Sequence, residues 1–362
     1  MNDKKISKYK NLIVYYFTGT GNALKTSEWL IEKAKEYGIS TSLISIDRFE
    51  KIEKPVTNNE TLIAFCFPTH GFNAAPLMLK FIRKFPKGKA DVVIINTRGG
   101  LKFKKIFFPG LSGVAQFLPM LLLLLKGYRM AGSLPFDLPS NWISLHPGLT
   151  DSAINDIVNR RKEQMYKFAD RLFRNGRAYN YKFFVYMPLD LAIIPIAAGY
   201  YLFARFILAK TFYASADCND CRLCVNQCPT KSIKIINGRP FWSYTCESCM
   251  RCISICPKKS IQTAHSFIIP LLYLLSLIPI TASVLNIFNI KTGDGVLAEL
   301  ITSFINWGIT VLITIAAYRI FSHLLKIKFI NKFFEYTSLT RYWRRYRFPD
   351  LTLTNKYFNS IF

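Results

Sequence analysis

Eight of the nine cysteines fall into two copies of one pattern: Cys218, Cys221, Cys224, Cys228-Pro229, and Cys246, Cys249, Cys252, Cys256-Pro257. Each copy reads C-x2-C-x2-C-x3-C-P, the spacing that carries cubane [4Fe-4S] clusters, in which the fourth cysteine of each run serves the other cluster. Three closely spaced thiolates can wrap one cube as the backbone turns around it, whereas the fourth cannot reach the same cube. The pattern therefore assigns one cluster to Cys218, Cys221, Cys224 and Cys256, and a second to Cys246, Cys249, Cys252 and Cys228. Paired C-x-x-C units also suit tetrahedral zinc, but a duplicated third cysteine with a following proline has no use in a zinc ribbon. The C-x3-C-x2-C run of radical chemistry on S-adenosylmethionine is absent. The chemistry to expect is electron transfer.

A second constellation lies near the N-terminus. Residues 11 to 17 form a short apolar run, followed by Thr18-Gly19-Thr20-Gly21-Asn22 and a helical pattern from Ala23 to Glu36. Strand, glycine-hydroxyl loop and helix start make a phosphate cradle, because backbone N–H groups face the anion and the helix dipole assists. Two further apolar strands follow, Thr61 to Phe67 and Asp91 to Ile95. They end in loops carrying Thr69, His70, Gly71, Phe72 and Asn73, and Thr97, Arg98, Gly99 and Gly100. In an open parallel sheet such loops converge on a crevice beyond the carboxyl ends of the strands. A flat cofactor with a phosphate tail would lie there. No residue pair identifies a catalytic acid or base, so the catalytic residues stay unknown.

Phe17-Thr-Gly-Thr-Gly-Asn22 looks like the FMN phosphate loop of flavodoxins. The order of this loop, a Pro-x-x-x-Gly loop, a Gly-Gly loop and an eight-cysteine module resembles the flavodoxin-ferredoxin fusion proteins of anaerobic bacteria, over roughly residues 11 to 180 and 211 to 264. The resemblance implies an α/β flavodoxin-like doubly wound parallel sheet followed by a small α+β two-cluster ferredoxin domain. It places Thr18, Thr20, Gly21 and Asn22, with Gly19 among them, around the FMN phosphate, and the Thr69–Asn73 and Thr97–Gly100 loops beside the isoalloxazine. Ala23 departs from the threonine of many flavodoxins, and Phe72 is the one aromatic in either flanking loop. Pro139-Ser-Asn-Trp142 resembles the Pro-x-Asn turn of the fusion family, so Asn141 and Trp142 would border the crevice. The implied cofactors are two [4Fe-4S] clusters and FMN, the flavin taking electrons as a pair and the clusters passing them singly.

Hydrophobic residues make up 51% of the 362, and the apolar excess is concentrated. Phe267 to Ile290 and Leu300 to Tyr318 hold no charge, and each is long enough for a hydrocarbon core of roughly 30 Å. With the turn at Lys291–Gly295 they read as a transmembrane hairpin. Net charge is +26, and the tail carries Lys326, Lys328, Lys332, Arg341, Arg344, Arg345, Arg347 and Lys356 interleaved with aromatics. Directly behind two spans, such a tail suits anionic membrane lipid on the cytoplasmic side; a nucleic-acid partner is the weaker reading, with no other motif to support it. The polar start Met1–Lys10 holds no signal region, so the thiols should be reduced ligands rather than disulfides. Cys66, in an apolar run, reads as a small buried hydrophobe.

The expected organisation is residues 1–182 for the FMN-binding domain, 183–213 for an apolar linker, 214–264 for the cluster domain, 265–321 for the hairpin and 322–362 for the basic tail. Within the first domain, Leu118–Leu125 reads as a sheet-packing helix, Tyr128–Phe136 as the last strand and 151–181 as a surface helix. Between the cysteine runs, Ile233–Ile236, Asn237-Gly238 and Phe241-Trp242 read as a hairpin. The linker holds Pro188, Asp190, Pro195, Gly199 and Arg205. As a single span it would part flavin from clusters, so an interfacial or re-entrant course is expected. The functional expectation is a membrane-anchored oxidoreductase or electron-transfer component, with its soluble domains cytoplasmic, relaying electrons toward or from a quinone, a lipid, a redox partner protein or a membrane enzyme. The alternative is an iron-sulfur redox sensor or scaffold with an empty flavodoxin-like domain; flavin content separates the two.

Overall fold

The computed structural model describes residues 6–50, 55, 58–103, 106–179, 182–277 and 295–347. The chain divides into two compact units: one runs through Tyr201 and includes Cys249–Ser254 and the residues from Arg344, and the other holds Leu202–Ser248 and Ile255–Trp343.

The first unit is built on a sheet of β1 (Asn11–Tyr16), β2 (Ser40–Ser45), β3 (Thr61–His70), β4 (Asn73–Ala74), β5 (Asp91–Phe103), β6 (Ile106–Phe108), β7 (Arg129–Pro139) and β8 (Ala178–Tyr179). Its path is β2-β1-β3-β5-β7-β8, all parallel, with β4 and β6 as short antiparallel flaps on β3 and β5. Without the flaps and β8 this is the 2-1-3-4-5 order of flavodoxin-like sheets, whose switch point lies between β1 and β3.

Strand side chains alternate between two cores, as a sheet covered on both faces requires. Leu62, Ala64 and Cys66 join a core with α1 (Asn22–Glu36) and α4 (Asp151–Asn175). Ile63, Phe65 and Phe67 join another with α2 (Pro76–Lys84), Leu123 and Tyr128. α4 starts where Thr150 accepts the Ala153 N–H and stops at left-handed Gly176, and its buried Ile157, Arg161, Met165, Phe168 and Leu172 recur at helical spacing. Cys66 is fully buried, and that burial pushes its thiol up to about 12.

Several expected boundaries move. β2 escaped the sequence reading because Ser-Thr-Ser-Leu-Ile-Ser is a half-exposed edge strand. β3 and β5 run past their apolar stretches, because the β5–β7 ladder continues to Gly100 opposite Pro139. Thr97, Arg98, Gly99 and Gly100 are therefore strand residues, not a loop, and His70 closes β3. β7 is not the last strand, since β8 pairs beyond it. The leucine helix, α3 (Phe117–Leu124), seats only part of its surface: Leu123 is buried, while Leu121 and Leu124 are 53% and 50% exposed. The linker is broken into α5 (Lys182–Ala192), α6 (Ile194–Gly199), a π-turn at Tyr200–Ala204 and α7 (Arg205–Ala209), with Pro188 inside α5 and Pro195 at the start of α6.

In the second unit β9 (Phe212–Ala214) pairs with β12 (Ile261–Thr263), and β10 (Ile233–Ile236) with β11 (Arg239–Trp242). Asn237 and Gly238, at φ 53° and 72°, form the hairpin turn. A 29-residue helix covers Val296–Leu324; among the described residues, its Ala298–Leu324 stretch is the one unbroken helix long and apolar enough to cross a membrane. The expected first span begins as a helix over His265–Leu277. Its remainder and the turn before Gly295 lie outside the described residues, as does the tail beyond Arg347. Tyr318 and Phe321 of the long helix, with Leu325 just past its end, are buried against Tyr213 and Ala264, and the Tyr318 hydroxyl donates to Phe212 O at 2.9 Å.

Candidate functional site

The two cysteine runs share a backbone conformation as well as a spacing. Non-glycine residues take positive φ at the same three offsets in each: Asp220 and Ser248, Arg222 and Met250, Lys231 and Lys259. Turn hydrogen bonds repeat likewise. Cys218 N donates to Ser215 O at 3.1 Å and Cys246 N to Ser243 O at 3.2 Å, while Lys231 N donates to Cys228 O and Lys259 N to Cys256 O at 3.3 and 3.1 Å. Left-handed backbone is unfavourable for such side chains, so the two runs repeat the same strained turns.

Cys218, Cys221, Cys224 and Cys256 line one pocket, walled by Ile235, Pro240 and Ile261. Burial, then the neighbouring Cys218 and Cys256 thiols, push Cys224 up to about 12. Ser232 N donates to Cys228 Sγ at 3.3 Å, Ser248 N to Cys246 Sγ at 3.4 Å, and the Ser260 hydroxyl lies 3.3 Å from Cys256 Sγ. Among the described residues no group of three or more His, Cys, Asp or Glu side chains forms a single-ion site.

In the β1–α1 loop Thr18 and Thr20 are buried, and Thr18 Oγ1 accepts the Gly21 N–H at 3.0 Å. Gly21, at φ 101°, caps α1 without a side-chain hydrogen bond, and the first turn holds no acidic residue. The first helical bond is Lys25 N to Gly21 O; among the described residues the N–H groups of Asn22, Ala23 and Leu24 meet no acceptor. Free donors at an uncompensated positive helix end fit a phosphate. Asn22 itself braces the loop, its Nδ2 donating to Pro139 O at 3.0 Å and its Oδ1 accepting the Tyr346 hydroxyl at 2.8 Å.

Beyond β3, Gly71 and Phe72 both take positive φ. Asn96 Nδ2 donates to Thr69 Oγ1 and Ser112 Oγ, at 2.9 and 3.1 Å, while Asn73 Oδ1 accepts the Ala74 N–H at 2.8 Å. Three polar atoms at this end of the sheet, His70 Nδ1, Asn96 Oδ1 and Gln116 Nε2, are enclosed and unpartnered. The His70 ring is partly exposed, yet its enclosed side lowers its pKa to about 4 by desolvation. Phe72 is not the only aromatic here: a Cβ on Gly71 would collide with the Tyr200 ring, which meets Trp142 edge-on at 5.8 Å. Tyr200 comes from the linker, where hydropathy marked it only as apolar.

Arg98 does not face the crevice freely. Its side chain is 1% exposed, and Nε lies 2.6 Å from Asp137 Oδ1; Arg161 Nη2 reaches Asp137 Oδ2 at 3.1 Å. Gly99 and Gly100 serve close strand approach, since a Cβ would stand 2.9 Å from Ser140 Oγ and 3.0 Å from Asp137 Cβ. Asp190, expected at a membrane interface, is buried and accepts from Ser112 N and Gly113 N at 3.0 and 2.7 Å. It moors α5 to the turn before α3.

Another contact was invisible in sequence. Arg251, between Cys249 and Cys252, is buried, pairs with Asp47 through both carboxylate oxygens and donates to Thr18 O. A Cβ on Gly19 would collide with Cys249 O.

No protein-family model matches the chain, and no curated protein matches it. Among solved structures it is similar to a flavodoxin from the domain Archaea, at 14% identity over 44% of this chain and 98% of that one, with a TM-score of 0.27. A Streptococcus pneumonia TIGR4 flavodoxin gives 11% identity over 43% and 94%, with a TM-score of 0.28. A two-electron reduced Megasphaera elsdenii flavodoxin gives 12% over 44% and 98%, with a TM-score of 0.27.

Proposed function

We propose that this chain is a membrane-anchored electron-transfer protein in which two [4Fe-4S] clusters and FMN exchange electrons, toward or from a quinone, a lipid or a membrane-bound redox partner enzyme. The observation that carries the reading is the duplication: two C-x2-C-x2-C-x3-C-P runs with the same three left-handed residues and the same turn hydrogen bonds, the crossed set Cys218, Cys221, Cys224 and Cys256 lining one pocket. The clusters, when bound, supply one-electron carriers, and FMN supplies the exchange between electron pairs and single electrons. The N–H and hydroxyl groups at Cys228, Cys246 and Cys256 draw electron density from the sulfurs and so tune potential.

The free N–H groups of α1 would hold the flavin phosphate, with Thr18 fixing the loop. The enclosed polar atoms of His70, Asn96 and Gln116 and the aromatic rings of Phe72, Trp142 and Tyr200 support the ring end of the same site. Anchoring rests on Ala298–Leu324, paired with the apolar Phe267–Ile290 stretch as the first arm of a hairpin; two spans would return the basic, aromatic tail to the cytoplasmic side, where anionic lipid and the flavin and cluster domains would lie. Iron, acid-labile sulfide and flavin are to be measured on anaerobically purified protein. Two cubanes and one FMN per chain are expected. Zinc without sulfide would sink the cluster assignment, and clusters without flavin would favour the sensor alternative.

A further inference from the structure

The second cysteine run does more than carry thiolates. Residues Cys249–Ser254 belong to the same compact unit as the β1–α1 loop, and they touch that loop at two points. The Arg251 guanidinium, buried and paired with Asp47, donates to the Thr18 carbonyl. The Cys249 carbonyl occupies the space where any side chain at residue 19 would project. The first run has no such device: at the offset of Arg251 it carries Leu223, which is 36% exposed.

In a trans peptide the C=O and the following N–H point in opposite directions. Holding the Thr18 carbonyl toward Arg251 therefore aims the Gly19 N–H the other way, among the donors that would face a phosphate. The fork of one guanidinium can bridge Asp47 and Thr18 at once, which an ammonium cannot. Asp47 cancels the charge, so the device acts on loop geometry rather than as a second anion-binding charge. Ser248 and Met250, on either side of Cys249 and just before Arg251, take left-handed φ, a strained course that ligation of Cys249 and Cys252 would hold.

We infer that Arg251 clamps the second cysteine run onto the Thr18–Asn22 loop, so that cluster loading at Cys249 and Cys252 and flavin-phosphate binding at the loop strengthen one another. This rests on the cofactor reading above. Coupling of this kind is reciprocal and amounts typically to about 5–150-fold in affinity.

The test uses the full chain in detergent, stripped of flavin, with its clusters intact or removed by oxidant and chelator. The FMN dissociation constant is read by quenching of flavin fluorescence. Amide exchange over residues 17–24 is read without flavin, and exchange over 61–67 confirms an intact sheet. Cluster removal should weaken FMN binding about 5–150-fold and speed exchange over 17–24. R251A should show the weak value in both states, and R251K an intermediate one. Because R251A strands Asp47, the D47L/R251M double variant, with apolar residues in place of the pair, is the control expected to fold; it too should be weak and uncoupled. Equal FMN affinity with and without clusters overturns the clamp and leaves the proposed function standing. A chain that binds no FMN in either state overturns the flavin reading, and unchanged exchange over 17–24 after cluster removal would then still overturn the clamp.

Discussion

Replacing Asp137 should be among the most damaging changes in the α/β unit. Its carboxylate is 3% exposed and faces two guanidiniums, Arg98 at 2.6 Å and Arg161 at 3.1 Å, with side chains 1% and 10% exposed. Gly110 N donates to the same carboxylate at 2.9 Å, and Arg161 Nε is already enclosed without a partner. D137N removes one negative charge from two buried positive ones and turns an amide N–H₂ toward one of the guanidiniums. Removing one partner of a buried pair costs about 3–5 kcal/mol, a large share of the roughly 5–15 kcal/mol that holds a domain. With a urea slope of about 2 kcal/mol per M, the midpoint should fall by about 2 M.

R161M tests the reasoning from the other side. It leaves Arg98 and Asp137 as a matched pair, removes the surplus charge and substitutes an apolar side chain, so its cost should be small or negative. Urea unfolding of detergent-purified protein, with core-strand amide exchange as the readout, measures both variants. D137N should also loosen residues 108–113, because Arg98 and Asn96 both donate to Ser112 Oγ, at 3.3 and 3.1 Å. Equal costs for D137N and R161M would refute the claim that one carboxylate balances two cations.

C256A should abolish the cluster assigned to Cys218, Cys221 and Cys224 while sparing the other, since these four thiols line one pocket; iron content and electron paramagnetic resonance of the reduced protein report which set is lost. His70 should make stability depend on pH. Its folded pKa of about 4 lies below the ordinary 6.5, so the unfolded chain takes up the proton first. Stability is then full above about pH 6.5 and falls toward pH 4, by up to about 3 kcal/mol. H70N should flatten that part of the profile, and an unchanged slope would mean that the imidazole is not desolvated. For topology, cysteine probes at Ser7, Val296 and Lys326 in intact cells should react with an impermeant reagent only at Val296, the exposed start of the long helix; reaction at Ser7 would overturn the cytoplasmic placement.

What sequence could reveal follows from how local each constraint is. The cysteine spacing is a local pattern, and the repeated left-handed residues and turn hydrogen bonds of the two runs follow it. The apolar strands of the parallel sheet were legible because burial on both faces leaves continuous runs, whereas edge strand β2 shows only weak alternation. The glycines at 99 and 100 read as loop, yet they let β5 and β7 approach closely, and the partner that decides this is distant in sequence. Arg98 beside glycines looked like a ligand donor because its carboxylate, Asp137, stands 39 residues away. Arg251 and Asp47 are separated by 204 residues, and no local pattern joins them. Tyr200 was hidden inside hydropathy, which records that a residue is apolar but not that it covers Gly71.

The same distinction explains why duplicated runs need not be equivalent. Each holds three non-glycine residues in the left-handed region, and at about 1–3 kcal/mol per position such strain persists only where surroundings enforce it. Metal ligation is one such enforcement, because binding free energy becomes conformational free energy when a site is not otherwise preformed. In the first run relaxation would fall on Leu223 and its partly exposed surroundings. In the second it would be transmitted through buried Arg251 to Asp47 and the Thr18 carbonyl. One substitution between duplicated halves, leucine in one and arginine in the other, ties one copy and not the other to a loop more than 200 residues away in sequence, and under the clamp proposed above that copy would pass its ligation state to the loop.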